Sequence, residues 1–349
     1  MLSNFPNILI RKRKLILSFA VLFCLFSSVS LTSFKQAQAL TVTPKVEIDA
    51  NPGTVVYPEI KVTNEERETR TFYIRAENFN AQDETGNPTF TTRQEDLAVW
   101  IKTQPSITLG PGESIILPVE IDIPYNADPG GHYAALFFLT QPPSLDGTEQ
   151  ELALSAKLGS LILLRVNGKF NSDANILEFG TTGKQKFFTQ LPVQFYYRFQ
   201  NTGDDHTKPI GDVVIKNFLG RTAKILEANP VAGSVLPKSV RQFFTTWTDR
   251  GGDQKQKPVI DLPKADAMSY WDSVKYQAKH FMIGRYNAQL KIAFGTKTLK
   301  TDHAEFTFYV IPWQLLSIII PGLIIILCFL RFVLRRYNRY IISRARQNL

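Results

Sequence analysis

The sequence has very little cysteine. Its 349 residues include two Cys, and both Cys24 and Cys328 lie in apolar stretches near the ends of the chain. The part between these stretches therefore contains no cysteine, which excludes a disulfide scaffold and a Cys-ligated zinc site there. Domains in this part of the chain would therefore be stabilised by their cores alone.

Catalytic and cofactor motifs are also absent from the sequence. None of the four His pairs with another at metal-ligand spacing, and no H-E-x-x-H, C-x-x-C, G-x-S-x-G, G-x-G-x-x-G or Walker-type loop is present. Asp83, Glu84 and Asn87 lack the ligand number and spacing of a calcium site, and Asp204-Asp205 is interpreted as a solvated turn. The sequence therefore predicts no enzyme, no cofactor, no metal site and no catalytic residue, and it identifies no ligand-binding residue.

Acidic residues are missing from both ends of the chain. Residues 1–40 contain five Lys and Arg, residues 331–349 contain six Arg, and neither range contains Asp or Glu. The whole chain has a net charge of +9, but the remainder has 29 basic and 31 acidic residues. This distribution argues against a nucleic-acid-binding protein, because the excess positive charge belongs to two ends that determine membrane topology.

The N-terminus has the pattern of a secretory signal peptide. A basic cluster at residues 11–14 precedes an apolar stretch at residues 15–31, and Ala37-Gln38-Ala39 matches a signal-peptidase site. We expect residues 1–39 to be a signal peptide that is cleaved after Ala39. The alternative is an uncleaved signal anchor, because the apolar stretch is long.

One apolar run near the C-terminus is long enough to cross a bilayer. Residues 311–330 carry no charge, and a helix of that length spans about 30 Å. Trp313 lies at its outer edge as an interfacial aromatic, and Pro321-Gly322 lies in the middle, where a single span tolerates a kink. We predict a transmembrane helix over 311–333 and a basic cytoplasmic tail over 334–349. The protein would then be a single-pass cell-membrane protein with its N-terminal ectodomain outside.

Between the two ends, apolar and polar residues alternate with a period of two, which is typical of half-buried β-strands. Turn sequences such as Gly110-Pro111-Gly112 separate these stretches. Two stretches, residues 133–139 and 158–166, are apolar on both faces. They predict the central hairpin of one sheet, covered by the opposite sheet.

The order of strands and turns is repeated in the second half of the chain. Gly284-Arg285-Tyr286 opens an apolar strand, as Gly131-His132-Tyr133 does in the first half. We predict an all-β fold of two tandem immunoglobulin-like β-sandwiches, over residues 40–170 and 171–310, plus one C-terminal transmembrane helix.

The second unit contains an insertion over residues 250–280. Residues 250–263 predict a polar loop, and residues 266–279 predict a short helix with three apolar residues near one face, Met268, Trp271 and Val274. We interpret the insertion as a lid that covers the sandwich edge. A partner-binding protrusion is the alternative.

His132 and Tyr133 follow a double glycine, Gly130-Gly131. Such a pair lets another backbone approach closely, or forms a bulge that redirects the strand. We interpret it as a structural bulge where the strand enters the core. The alternative is a rim that contacts a sugar or a peptide.

A series of turn and strand motifs runs in a fixed order through residues 41–166. The motifs are Asn51-Pro52-Gly53, Val62-Thr63-Asn64, Ala76-Glu77-Asn78, Gly86, a turn near Leu97, Gly110-Pro111-Gly112, Ile123-Pro124 and Pro129-Gly130-Gly131. In this order they resemble the N-terminal module of the WxL-interacting proteins of Gram-positive cell walls. That family has a signal peptide, two immunoglobulin-like domains, one C-terminal membrane helix and a basic tail, and this chain has the pattern of all five.

The resemblance implies that the first domain binds peptidoglycan and that the second binds host or surface ligands. It identifies no contact residue, and Trp313-Gln314-Leu315 is incidental, because the WxL motif belongs to the family's partner. We predict a non-enzymatic, membrane-anchored bacterial cell-surface adaptor that binds cell-wall peptidoglycan, surface proteins or both. The alternative is a chaperone or assembly subunit for exported surface structures, which acts by strand-edge binding.

Overall fold

The structure is a computed structural model that describes residues 40–93, 95–142, 157–248, 268–295 and 298–347. The predicted signal peptide, its cleavage site after Ala39 and the predicted loop at residues 250–263 lie outside these residues.

The first part of the described chain, residues 40–166, forms two layers of strands. One layer has the order β2-β12-β11-β5-β6, with β8 paired to β5; the other consists of the three-stranded sheets β1-β4-β9 and β3-β10-β7. The one short helix described in this part, α1 (Leu97–Trp100), precedes β7. The strands are β1 (Leu40–Val42), β2 (Lys45–Ala50), β3 (Val55–Val56), β4 (Ile60–Asn64), β5 (Arg70–Ala81), β6 (Pro88–Thr91), β7 (Ile101–Thr103), β8 (Ser106–Leu109), β9 (Ser114–Leu117), β10 (Val119–Asp122), β11 (Gly130–Leu139) and β12 (Lys157–Val166).

Alternation along these strands produces the core between the two layers. Ile60 and Val62 of β4 are fully buried, and they pack in one cluster with Ile162 and Leu164 of β12 from the facing layer. Because neighbouring residues of a strand point to opposite faces, each strand contributes every second side chain to this core. Full burial of such a side chain contributes about 1.5–3 kcal/mol.

The predicted central hairpin is confirmed, because β11 and β12 are antiparallel neighbours in consecutive register from Gly130–Val166 to Leu139–Lys157. The opposite layer covers only one face of this hairpin. On the other face, Tyr133, Phe137 and Leu163 form a second apolar cluster, against which Leu236 of the second half of the chain packs. The second apolar face therefore contacts the other domain, which the alternation pattern did not reveal.

Residues 174–310 form a second sandwich. One sheet has the order β13-β15-β18 and the other has the order β14-β20-β19-β16-β17. Their facing side chains form a separate core that includes Phe195, Tyr197 and Phe308. The strands are β13 (Ala174–Thr181), β14 (Phe187–Phe188), β15 (Val193–Asn201), β16 (Ile210–Asn217), β17 (Thr222–Glu227), β18 (Ser239–Trp247), β19 (Gly284–Phe294) and β20 (Lys300–Val310), with a short 3-10 turn at Thr182–Lys184.

The predicted short helix of the insertion is present as α2 (Tyr270–Lys279). Ser269 caps its N-terminus, since the Ser269 side chain accepts a hydrogen bond from the backbone N–H of Asp272. The three apolar residues near one face do not form the buried side of the helix: Ser273 and Gln277 are buried, whereas Trp271 is exposed. The helix packs against α3 (Trp313–Gln347), not along a strand edge.

A single long helix, α3, ends the described chain. Its stretch Trp313–Tyr340 is long and apolar enough to cross a membrane, and Pro321 lies inside it. The predicted all-β architecture is confirmed: two immunoglobulin-like sandwiches are followed by one C-terminal apolar helix.

Candidate functional site

The two sandwiches meet at a buried ion pair. Arg165, near the end of β12, donates from Nε to Oδ2 of Asp205 and from Nη1 to Oδ1 of Asp49 at 2.7 Å. Only 4 % of the Asp205 side chain is exposed. Burial raises the pKa of Asp205, but the contacts with His206 and Arg165 outweigh burial and lower that pKa below its ordinary value. The pair thus joins a strand of the first domain to the turn after β15.

The predicted solvated turn at Asp204-Asp205 is therefore only half right. Asp204 is exposed and binds Lys238, with 2.9 Å between Oδ1 and Nζ. Asp205 is buried in the junction instead, where His206 Nδ1 lies 2.9 Å from its Oδ1. A two-residue acidic sequence cannot show which carboxylate the neighbouring domain covers.

Gly130 and Gly131 form part of this junction. The backbone N–H of Gly131 donates to the carbonyl oxygen of Asp204 at 3.0 Å. A Cβ atom at Gly130, whose φ is +132°, would lie 2.6 Å from that oxygen. The pairing of β11 with β12 shows no bulge at this point, so the predicted bulge is wrong. Gly130 is required because the second domain approaches the strand here, whereas a Cβ atom at Gly131 would clash with the Tyr133 side chain of the same strand.

His132 and Tyr133 also bind within the protein. His132 Nδ1 lies 2.5 Å from Asp96 Oδ1, and its Nε2 lies 2.9 Å from the Asp128 carbonyl oxygen. Burial lowers the pKa of His132, but the bonds to Asp96 and Asp128 outweigh burial and raise that pKa. The buried Tyr133 hydroxyl lies 3.2 Å from His206 Nδ1, and burial raises its pKa. These positions do not support a ligand-contacting rim.

A second contact joins the domains at the β5–β6 turn. Glu84 accepts two hydrogen bonds from Arg198, at 2.7 Å from Nε and 2.5 Å from Nη2, and its carbonyl oxygen accepts one from Gln242 N at 2.7 Å. This bidentate pair holds the pKa of Glu84 below its ordinary value. The neighbouring Asp83 accepts from the backbone N–H of Thr85 at 2.8 Å. Glu84 is therefore committed to an interdomain contact rather than to a calcium site.

A cavity of about 280 Å³ lies between the two contacts. Phe79, Leu161 and Leu163 of the first domain line one side of it, and Arg241 of the second domain lines another. Burial lowers the pKa of Arg241, and no acidic side chain of the described ranges forms an ion pair with it. The cavity thus combines apolar walls with one cation that has no carboxylate partner there.

The edge of the large sheet of the first domain is incomplete beside this cavity. Strand β2 pairs in parallel with β12 only from Leu161 to Val166, and it begins at Lys45, which also lines the cavity. Residues 157–160 of β12 pair with β11 on one side, but no described strand pairs with them on the other side. Because Leu161 N donates to Pro44 O toward β2, the N–H and C=O groups of Gly159 point to this unpaired side.

Groups of His, Cys, Asp and Glu that could hold a metal ion were sought within the described ranges, and none occurs there. The structure brings Gly130-Gly131 and Tyr133 together with Asp204-Asp205 and His206 at one junction, whereas Glu84 belongs to the second contact, with Arg198. The sequence analysis missed Arg165, Arg198 and Arg241. An arginine at the end of the apolar stretch 158–166 is the signal that could have identified the first of them.

Comparison with known proteins shows only a distant likeness. No family model matches the chain, and no curated protein matches it. Among solved structures, the class 5 fimbriae chaperone CfaA is 10% identical over 78% of this chain and 99% of its own, with a TM-score of 0.35. The Pseudomonas aeruginosa CupB2 chaperone is 12% identical over 76% of this chain and 97% of its own, with a TM-score of 0.31. At these values the likeness says nothing about function.

Proposed function

We propose that the protein is a non-enzymatic, membrane-tethered cell-surface protein that binds an extended segment of an exported polypeptide, as a chaperone or assembly subunit. Residues 157–160 of β12 carry this proposal, because no strand of the described ranges pairs with them on the side away from β11. An extended segment placed there would continue the line of β2 and pair with the outward N–H and C=O groups of Gly159. The fold thus supplies main-chain affinity for a strand without a sequence requirement.

The cavity next to this edge would supply side-chain selectivity. Side chains of an added strand alternate between two faces, and one face would meet the walls formed by Phe79, Leu161 and Leu163. Apolar side chains fit these walls, and a carboxylate fits Arg241, which donates to the Ser234 carbonyl oxygen but has no acidic partner among the described residues. We therefore expect bound segments to alternate apolar and polar residues and to carry few basic residues.

Tethering follows from α3. The helix has a charge-free apolar stretch followed by six Arg, and this charge asymmetry supports an orientation with the C-terminus in the cytoplasm. The two sandwiches would then lie on the outer side of a bacterial cell membrane, where exported polypeptides emerge.

Panning of a random 12-residue phage-displayed peptide library against the full chain in nanodiscs tests this function. We expect enrichment of alternating sequences, and a loss of about tenfold or more in their affinity for Leu158→Lys, because a lysine on a free edge opposes strand pairing. Leu177→Lys is the matched control, since Leu158 and Leu177 are 39% and 42% exposed on strands β12 and β13. No enrichment above empty nanodiscs, or equal binding by Leu158→Lys, would refute strand capture.

Peptidoglycan binding by the first domain is a second candidate function. Tyr125 is 89% exposed, and its ring lies against Gly53, where a Cβ atom would be 2.4 Å from the ring. Tyr57 is also exposed on this domain. Flat exposed rings stack on sugars, and Gly53 belongs to one of the turns that resemble the WxL-interacting family. This contact would make the protein a cell-wall adaptor.

Sedimentation of the full chain in detergent with purified sacculi tests the wall contact. We expect Tyr125→Ala to reduce the sedimented fraction several-fold relative to the wild type, because the stacking ring is lost. Ile116→Ala changes another exposed apolar residue of the same domain and is expected to leave sedimentation unchanged. Sedimentation no greater than that of an unrelated tethered sandwich would exclude wall binding.

A further inference from the structure

The second sandwich has an apolar end next to the start of α3. Strand β20 ends at Val310 and α3 begins at Trp313, so only two residues, which extend over about 7 Å, separate the sandwich from the helix. Backbone hydrogen bonds fix this connection, from Ile311 N to Phe188 O at 2.8 Å and from Leu316 N to Pro312 O at 3.0 Å. A bilayer crossed by α3 therefore lies directly beneath this end of the sandwich.

Strand register shows which segments share this end. Gly284 pairs with Val310, and Asn217 pairs with Tyr286, so the turn after β16 and the start of β19 lie beside the last residue of β20. A Cβ atom at Gly284 would be 3.2 Å from the ring of Phe218, which confirms that the two segments touch. We call this end the basal surface; its exposed side chains are Phe218, Leu219, Tyr270, Trp271, Phe281 and Ile283.

Helix α2 is attached to α3 at the depth where the span begins. The Tyr270 hydroxyl lies 2.6 Å from Ser317 Oγ, one turn inside α3, and the Tyr270 and Trp313 rings are 6.2 Å apart. The buried Gln277 side chain accepts from Leu315 N at 3.0 Å and donates to Gln314 Oε1 at 2.6 Å. The N-terminus of α2 is thus held level with the interfacial Trp313.

The charges around the basal surface match an anionic lipid surface. In the described segments 217–221 and 268–285, the basic residues Arg221, Lys275, Lys279 and Arg285 are exposed. Asp272 is the one acidic residue of these segments, and Ser269 Oγ binds its carboxylate at 2.7 Å. Exposed aromatic and aliphatic side chains mixed with Lys and Arg are typical of surfaces that lie in the bilayer interface.

We propose that the basal surface is a lipid-binding surface, which inserts into the interface of the bilayer that α3 crosses and holds the second sandwich against the membrane. Insertion of the basal surface into lipid explains why Trp271 points outward on α2. A lid that covers only the protein does not explain this position. The ectodomain would then have a fixed height and orientation above the membrane. This inference depends on the span but not on the binding of a polypeptide or of peptidoglycan.

Cysteine accessibility in nanodiscs that hold one full chain each, in phosphatidylcholine with phosphatidylglycerol, tests the proposal. Leu219→Cys is compared with Ile116→Cys in the first domain, in a background of Cys24→Ser and Cys328→Ser. The two native side chains are 62% and 63% exposed, so equal reaction with a charged maleimide is expected if lipid covers neither. We expect Leu219→Cys to react about tenfold or more slowly, because the interface excludes the charged reagent.

Two further variants separate the outcomes. Ile324→Cys reports insertion of α3, and it must be protected completely. Trp271→Cys probes a second basal position and is expected to be protected like Leu219→Cys. If Ile324→Cys is protected but both basal cysteines react as fast as Ile116→Cys, lipid does not cover the basal surface and the proposal fails. If Ile324→Cys itself reacts, the span is wrong and the proposal falls with it.

Discussion

Gly130 shows how one missing side chain permits the two domains to meet. Its φ of +132° is a conformation that side-chain-bearing residues rarely adopt, and the Asp204 carbonyl oxygen occupies the space of its Cβ. Local sequence would suggest that Gly130 belongs to a turn or bulge. The need for glycine comes instead from the backbone of Asp204, about seventy positions away in the sequence.

Substitution of Gly130 by Ala is expected to destabilise the protein by about 2 kcal/mol or more, because backbone strain and a clash with Asp204 add. The control Gly112→Ala also has a positive φ, +69°, but nothing lies within 4 Å of the added Cβ, so about 1 kcal/mol is expected. Urea unfolding of the full chain in detergent micelles measures both. Equal urea midpoints for Gly130→Ala and Gly112→Ala would contradict the close approach of the Asp204 backbone to Gly130.

The His132–Asp96 pair makes stability depend on pH. Because its pKa is raised in the folded state, the contribution of His132 is fully present below its unfolded value of 6.5 and is lost as pH rises through the folded value. The urea midpoint of the wild type should exceed that of Asp96→Asn most at about pH 5.5 and least at about pH 8. Asn tolerates the φ of +50° at position 96. A difference that is constant over this range would exclude the pair as its source.

At the scale of elements, α2 shows why an apolar pattern does not by itself identify the buried face. The sequence pattern grouped Met268, Trp271 and Val274 near one face, whereas the structure buries Ser273 and Gln277. Polar side chains are buried in this contact because the first turn of α3 offers unpaired N–H groups, which Gln277 satisfies. The proposed lipid contact would give α2 two apolar surroundings, protein on one side and lipid on the other, and periodicity alone would then not assign its faces.

Gln277→Ala is expected to release the start of α3 from the sandwich. The Leu315 N–H would lose its acceptor, at a cost of about 1–3 kcal/mol for a buried unsatisfied group. Hydrogen exchange of the peptide that contains Leu315 should become roughly tenfold or more faster in nanodiscs. Lys275→Ala, on the exposed side of α2, is the control and is expected to leave exchange unchanged. Unchanged exchange in Gln277→Ala would show that the clamp does not hold α3.

At the scale of the whole molecule, two polar contacts set the relation of the sandwiches. Arg165 reaches Asp205 across 40 positions, and Arg198 reaches Glu84 across 114. Each contact is an ion pair, and an apolar cluster lies beside the junction. Together they favour one fixed arrangement of the two domains over free rotation. A fixed junction also keeps the cavity next to residues 157–160 of β12, with which no described strand pairs on one side, as the proposed capture of an extended segment would require.

Arg165→Met is expected to loosen this junction, because it leaves Asp205 buried without its cation, at a cost of about 3–5 kcal/mol. Spin labels at positions 116 and 177, one on each sandwich, should show a broader distance distribution than in the wild type. Asp49→Asn removes the charge of the exposed partner of Arg165. We expect it to leave the distance distribution unchanged and to change the free energy of unfolding by no more than about 1 kcal/mol. An unchanged distribution in Arg165→Met would show that other contacts fix the domains.

The amino-acid sequence by itself determined the local features of this protein. Alternation identified the strand that became β19 and the hairpin of β11 and β12, because the side-chain period of a strand is a property of neighbouring residues. The charge-free run likewise identified α3, since helix length and hydropathy are read from consecutive positions.

Only the tertiary structure decided what the second face of the hairpin, Asp205, Gly130 and Gln277 contact. Each depends on a domain or helix that is distant in sequence, and the sequence pattern at each position was compatible with solvent, with the core of its own domain and with a neighbour. Burial and ion pairing depend on both packed surfaces, because a side chain loses its water only when another domain or helix packs against it.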